Sequence, residues 1–235
     1  MKKGDLRKQE ILRTAECLFC RNGYEQTSIQ DILDQLKSSK GSFYHHFVSK
    51  EALLETLCAR RAELNLEMTD SFEFSQLTSA EKLDHLLTGM FPLQGEKLSF
   101  FLMLLPTFIL PVGSSVKTSY CESLKNAFFP AVSHTIKDGV LAGEMFCGDP
   151  DVYADAVITL INRLWMSVCD MIIKNESEGK QTDLSELLHF TEQYRTAVEK
   201  MLCIAYGSLV LIDIPALRRL TDQIHIHWAK PTGKQ

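Results

Sequence analysis

Apolar residues recur at three- and four-residue steps through most of the chain, the pattern of amphipathic helices. Ile11, Leu12, Ala15, Leu18 and Phe19 form the first stripe and predict a helix over Asp5–Arg21, ended by Asn22-Gly23. Ile29, Ile32, Leu33 and Leu36 predict a short second helix, with Thr27 and Gln30 in the spacing of a capping box. A third helix is expected over Ser39–Phe47, capped by Ser38 or Ser39, with Phe43 and Phe47 as its buried positions. Ser49 then caps a fourth, from Lys50 to about Glu67, whose inner side is Ala52, Leu53, Leu57 and Leu64.

Further along the pattern broadens. Thr78 or Ser79 starts a fifth helix that ends at Met90-Phe91-Pro92, beyond a boundary loop at Asp70–Ser79. Leu98–Pro111 is apolar on nearly every face, which means burial or the wall of a cavity, and it is too short to span a bilayer. Ser115–Gly139 carries Pro130 at mid-length and turns Phe128, Phe129 and Val132 inward. Asp149 is placed to cap a long helix with Ala154, Val157, Ile161, Leu164, Trp165, Val168 and Ile172 on one face. After the polar break Lys174–Asp183, the positions from Leu184 to Leu202 repeat that pattern. The tail is different: GSLVLIDIP alternates as a strand does, and ALRRLTDQIHIHW is helical or mixed.

The chain is therefore all-α, with a small three-helix head at 1–50, a connector helix at 50–67, a helical body at 68–205 and an extension at 206–235. An apolar share of 45% with 23% charged residues fits a globular protein. Net charge is −5, unevenly distributed: residues 1–50 hold nine Lys and Arg against six Asp and Glu, and the rest hold 16 against 24. A basic head on an acidic body suits a nucleic-acid partner. Seven scattered cysteines, an odd number, point to a reducing compartment, and the start MKKGDLRK has no apolar run behind it, so a cytoplasmic location is expected. Cys17 and Cys20 form a C-x-x-C inside the first helix, where small buried or half-buried residues are the better account.

The third helix carries the chemistry. It commits two phenylalanines to a core and crowds Lys40, Ser42, Tyr44, His45 and His46 on its other faces. Such donors suit phosphate oxygens and base edges in a DNA major groove. Lys50 stands at a helix start, where an ammonium and backbone amides make a phosphate site. Lys2, Lys3, Arg7 and Lys8 are placed to lie along the DNA backbone or to fray into solvent.

These stretches, GYEQTSIQDIL followed by SKGSFYHHFVSKEALL, resemble the DNA-binding domain of the tetracycline-repressor (TetR) family over about the first 60 residues. The resemblance implies that Thr27 and Tyr44 bond phosphates, and that Lys40, Ser42 and His45 face bases or nearby backbone. It places His46 and Lys50 on the phosphate side, and Ser28 and Ser39 complete the candidate DNA contacts. One departure is Leu36-Lys37-Ser38-Ser39, where the family's turn reads Ala-Gly-Val-Ser. It puts a lysine where glycine often takes a left-handed conformation.

The resemblance further implies a ligand-responsive regulator, most simply a repressor released from a double-stranded operator by a small hydrophobic or amphipathic molecule. Candidate ligand residues are Phe101, Met103, Phe108, Tyr120 and His134. The wide apolar faces at 152–173 and 184–205 predict a homodimer through a four-helix interface. No catalytic constellation, cofactor motif or membrane span is visible, and Asp222, His225 and His227 are a weak metal pattern. The alternative is a helical protein-binding scaffold that keeps a vestigial DNA-binding head.

Overall fold

In the computed structural model, which describes residues 3–69, 76–91, 95–109, 114–212 and 214–229, ten helices are found among the described residues. They are α1 (Lys3–Asn22), α2 (Ile29–Leu36), α3 (Lys40–Tyr44), α4 (Lys50–Glu67), α5 (Ser79–Gly89), α6 (Gly95–Ile109), α7 (Ser114–Leu141), α8 (Pro150–Ser177), α9 (Leu184–Met201) and α10 (Ile214–Ala229). The chain divides into two compact units, Met1–Ala62 with Gln94–Leu124, and Glu63–Leu93 with Lys125–Gln235. Two helices, α4 and α7, run from one unit into the other.

The first unit closes on the stripe read from α1. Ile11, Ala15 and Phe19 are fully buried, as are Ile32 of α2, Phe43 of α3 and Leu53 and Leu57 of α4. Tyr24 meets Phe19 edge-on, with ring centroids 5.1 Å apart. α6 lies against α1 and brings buried Phe100, Phe101, Leu104 and Leu105. Arg61 joins the two layers: its guanidinium bonds Glu16 and lies 5.7 Å from the centre of the Phe100 ring.

The second unit is organised on α8, which Asp149 caps ahead of Pro150 at the first turn. α8 buries eleven side chains and places Trp165 against Phe91, ring centroids 5.2 Å apart. It is long and apolar enough to cross a membrane, and 56% of that stretch is buried inside the protein, as in a core helix. α5 begins in a capping box of Thr78 and Glu81. Near its start α7 passes so closely that a β-carbon on Gly139 would stand 2.8 Å from Met145 and 3.1 Å from Ser79.

The tail departs from the strand-like alternation of its sequence. No strand occurs among the described residues, and 207–212 run as an irregular strap ahead of α10. Buried Glu199 of α9 accepts the amides of Gly207 (3.0 Å) and Leu209 (3.1 Å), and Asp84 of α5 accepts those of Val210 (2.8 Å) and Leu211 (2.9 Å). Those carboxylates satisfy backbone groups that a sheet would otherwise pair. The strap delivers α10, which packs on α8 and α9 through Ala216, Leu217, Leu220 and Ile224. Part of the apolar width of α8 and α9 is thus covered within one chain.

Candidate nucleic-acid interface

The second helix starts one residue later than its spacing predicts. Ser28, not Thr27, is the cap: its hydroxyl accepts the Asp31 amide (3.1 Å), and the Asp31 carboxylate accepts the Ser28 amide (2.7 Å). Gln30 donates instead to Asp34 (2.7 Å). Thr27 is buried and donates its hydroxyl inward, to the Gly23 carbonyl at 2.8 Å. Its side chain therefore leaves the expected set of phosphate contacts, and Ser28 stays exposed. The S-x-x-D spacing was the available signal, and an Asp at that position closes the box as Gln or Glu would.

Lys37 does adopt the left-handed conformation (φ 48°, ψ 49°) that turns the chain into the next helix. That helix, α3, is shorter than Ser39–Phe47. Ser39 caps it by accepting the Ser42 amide (3.4 Å), and His45 closes it after Tyr44. Phe43 is fully buried and Phe47 nearly so, which matches their expected core role. Lys40, Tyr44 and His45 are exposed, while Ser42 and His46 are half-buried.

Neighbouring α1 contributes to this face. Arg7 reaches Ser42 (Nε to Oγ 3.5 Å) while pairing with Glu10 (2.6 Å), and the Lys8 ammonium lies 5.7 Å from the centre of the Phe47 ring. The His45 and His46 rings meet edge-on at 4.9 Å. Partial burial, then the positive charges of His45, Lys8 and Arg7, hold the His46 pKa below its ordinary value. Lys50 faces inward. Its ammonium donates to the carbonyls of Tyr24 (3.0 Å) and Thr27 (3.1 Å) and sits 4.2 Å from the Tyr24 ring centre. Two of its three donors are engaged in tying the start of α4 to the turn before α2, a role the sequence did not suggest.

This arrangement, a capped α2, a left-handed turn and a five-residue helix with its polar side outward, is a helix-turn-helix. Residues 11–57 match the family model described as bacterial regulatory proteins, tetR family. The head of the chain therefore carries a tetR-type DNA-binding domain. It is 28% identical to the HTH-type transcriptional regulator QacR of Staphylococcus aureus over 66% of this chain and 82% of that one. It is 30% identical to the HTH-type regulator YerO of Bacillus subtilis over 47% of this chain, a match that spans only 39% of that relative's length. Among solved structures, a putative TetR-family transcriptional regulator from Mesorhizobium loti superposes with a TM-score of 0.54 at 16% identity, covering 85% of this chain and 98% of that one. Salmonella enterica GusR superposes with a TM-score of 0.53 at 20% identity, covering 86% of this chain and 98% of that one. A transcriptional regulator from Cytophaga hutchinsonii superposes at 0.52 with 17% identity, covering 96% and 95%. These likenesses support the TetR fold.

Of the residues expected to hold a ligand, Phe101 and Tyr120 come together. Phe101, Met103 and Tyr120 are buried in the first unit, with Phe101 and Tyr120 rings 6.1 Å apart. His134 belongs to the second unit, is 75% exposed and pairs with Asp138 one turn on (3.4 Å). The Phe108 side chain lies outside the described residues. A cleft of about 830 Å³ opens instead in the second unit, where Glu176, Lys180, Thr182, Arg218, Asp222 and His225 line it. Within it His225 pairs with Glu176 (2.7 Å). The helix that forms one wall of the cleft, α10, was hidden by the ambiguous pattern of the tail. Cys17 and Cys20 are both exposed, contrary to the small-core account: their side of α1 faces solvent, and Ile11, Ala15 and Phe19 take the buried one.

Proposed function

We propose that this chain is a TetR-family transcriptional repressor that binds a pseudo-palindromic operator as a homodimer and is released by a small molecule. The observation that carries the reading is α3, which buries Phe43 and leaves Lys40, Tyr44 and His45 exposed beside Arg7 and Lys8. A five-residue helix with that division is poorly suited to stability and well suited to a major groove. Two such helices must stand about 34–36 Å apart to enter successive grooves. The stripes left half-buried on α8 (Ala156, Leu160, Ser167, Met171) and on α9 (Phe190, Tyr194, Ala197, Met201) supply a self-complementary interface within 152–173 and 184–205.

The releasing molecule is small and amphipathic, and the cleft between the α8–α9 turn and α10 suits one that carries a charged group. A ligand acts by its different affinity for two states of the protein, and α4, continuous through both units, transmits the change. The protein works in the cytoplasm, where it meets DNA.

The test is binding of the purified protein to DNA from the flanks of its own gene, measured by fluorescence anisotropy against salt. Affinity falling steeply, with a log–log slope of about −0.9 for each phosphate neutralised, together with preference for one fragment, supports the reading. Salt-insensitive behaviour without preference supports the protein-binding scaffold.

A further inference from the structure

Two cysteines in the second unit are held in an arrangement that packing does not explain. Cys203 follows α9 in a left-handed conformation, φ 52°. Its amide closes on the Lys200 carbonyl (3.3 Å), and the amide of Ile204 on that of Glu199 (3.0 Å). Glycine fills such a cap freely, whereas a residue with a β-carbon is disfavoured there. The Cys203 side chain is exposed, so burial does not offset that cost. Its sulfur lies 3.7 Å from the Lys200 carbonyl oxygen.

One residue earlier, the Leu202 carbonyl accepts the amide of Phe146 at 2.9 Å. This bond draws the connector between α7 and α8 alongside the end of α9 and brings in Cys147, half-buried. Burial raises the Cys147 pKa first, and the negative charge of a Cys203 thiolate and of Asp149 adds to it, so the two sulfurs lie within electrostatic reach. Cys58 and Cys121 are protected by burial, which raises them to about 12 and about 11.

We propose that Cys147 and Cys203 form a dithiol modification site that closes to a disulfide when a hydroperoxide reaches the protein. The exposed Cys203, as thiolate, attacks the terminal peroxide oxygen. A sulfur–oxygen bond forms, the oxygen–oxygen bond breaks, and the departing alkoxide or hydroxide leaves as alcohol or water after taking a proton. Cys147 then loses its proton and attacks the Cys203 sulfur. The disulfide forms, the sulfur–oxygen bond breaks, and hydroxide leaves as water. Two thiols are oxidised and one peroxide is reduced by two electrons. Since α8 begins just after Cys147 and α9 ends just before Cys203, the bond closes the α8–α9 hairpin into a covalent ring, which restrains the unfolded chain and raises the melting temperature.

The experiment treats the full chain with hydrogen peroxide or cumene hydroperoxide and maps its peptides without reduction. A predominant peptide joining Cys147 to Cys203, two hydrogens lighter than its parts and cleaved by a thiol reductant, is the expected result. Cys203→Gly is expected to lose that peptide while melting, under reducing conditions, at the same temperature as the parent chain or above it. Predominance of a Cys17–Cys20 bond, of links between chains, or of sulfinic acid on both cysteines without a bond overturns the proposal.

Discussion

α3 buries a single side chain, Phe43, from five residues, whereas α8 buries eleven across twenty-eight. An isolated helix of five residues does not persist in water, so α3 exists because Phe43 and its caps hold it against α1 and α2. α8 is held along its whole length. The difference shows how the molecule divides its tasks: a locally specified segment leaves its polar groups free for a partner, and a globally specified one has most of its surface already engaged.

The largest test of that contrast is Phe43→Ala, which should cost about 3–5 kcal/mol and leave α3 without its anchor. Backbone amide exchange in α3 is expected to rise to unfolded rates while amides in the middle of α8 remain protected. Equal loss of protection in both helices would break the distinction between locally and globally held segments.

Next comes the outward side of α3. Lys40→Ala is expected to change which DNA sequence is preferred, by about 1–3 kcal/mol if the lysine reads a base edge. Tyr44→Phe should weaken binding to all sequences by about 1 kcal/mol, the worth of one hydrogen bond. A selection experiment with random DNA separates the two, and an unchanged preference for Lys40→Ala would move that lysine to the backbone.

The same comparison explains what was legible in the sequence. The α4 boundaries and the Asp149 cap before Pro150 were readable because each depends on a few adjacent residues. So was the burial of Phe43, since its neighbours in the pattern leave it no other role. The direction of Thr27 was not readable, because Thr-Ser offers two adjacent hydroxyls and only the packing of the Gly23 turn selects which one points inward. Nor was the strap before α10, whose alternation resembles a strand until Asp84 and Glu199, far away in sequence, take up its amides. The role of Phe101 and Met103 was not readable for the same reason. An all-apolar helix such as α6 shows that its side chains are covered and says nothing about what covers them.

Lys50 sharpens the contrast, since it adjoins the helix-turn-helix yet faces inward. Lys50→Met should lower stability by about 1–3 kcal/mol through two lost charge-assisted bonds. It should leave the salt dependence of DNA binding unchanged. A slope reduced by about 0.9 would place the ammonium on a phosphate in the complex. Lys37→Gly acts in the opposite sense: it relieves a left-handed lysine and is expected to add about 1 kcal/mol to stability, read from denaturant unfolding. A loss of stability there would mean that the lysine side chain, not the backbone, holds the turn.

The smallest effect concerns His46, which tests whether the α3 face is poised for an anion. Its burial comes first and the positive neighbours His45, Lys8 and Arg7 second, and together they hold its pKa below the ordinary 6.5, with Asp5 opposing. The unfolded chain therefore takes up this proton more readily than the folded one. The group favours folding above pH 6.5, and that contribution fades as the pH drops through 6.5 towards the lower folded value. DNA phosphates beside the ring reverse the local balance, because an anion favours the imidazolium. Acidification across that range should thus lower the melting temperature of the free protein slightly and tighten its hold on DNA. His46→Gln should remove both responses. Melting curves and anisotropy titrations on either side of pH 6.5 decide the matter, and DNA binding that weakens on acidification would place His46 away from the phosphates.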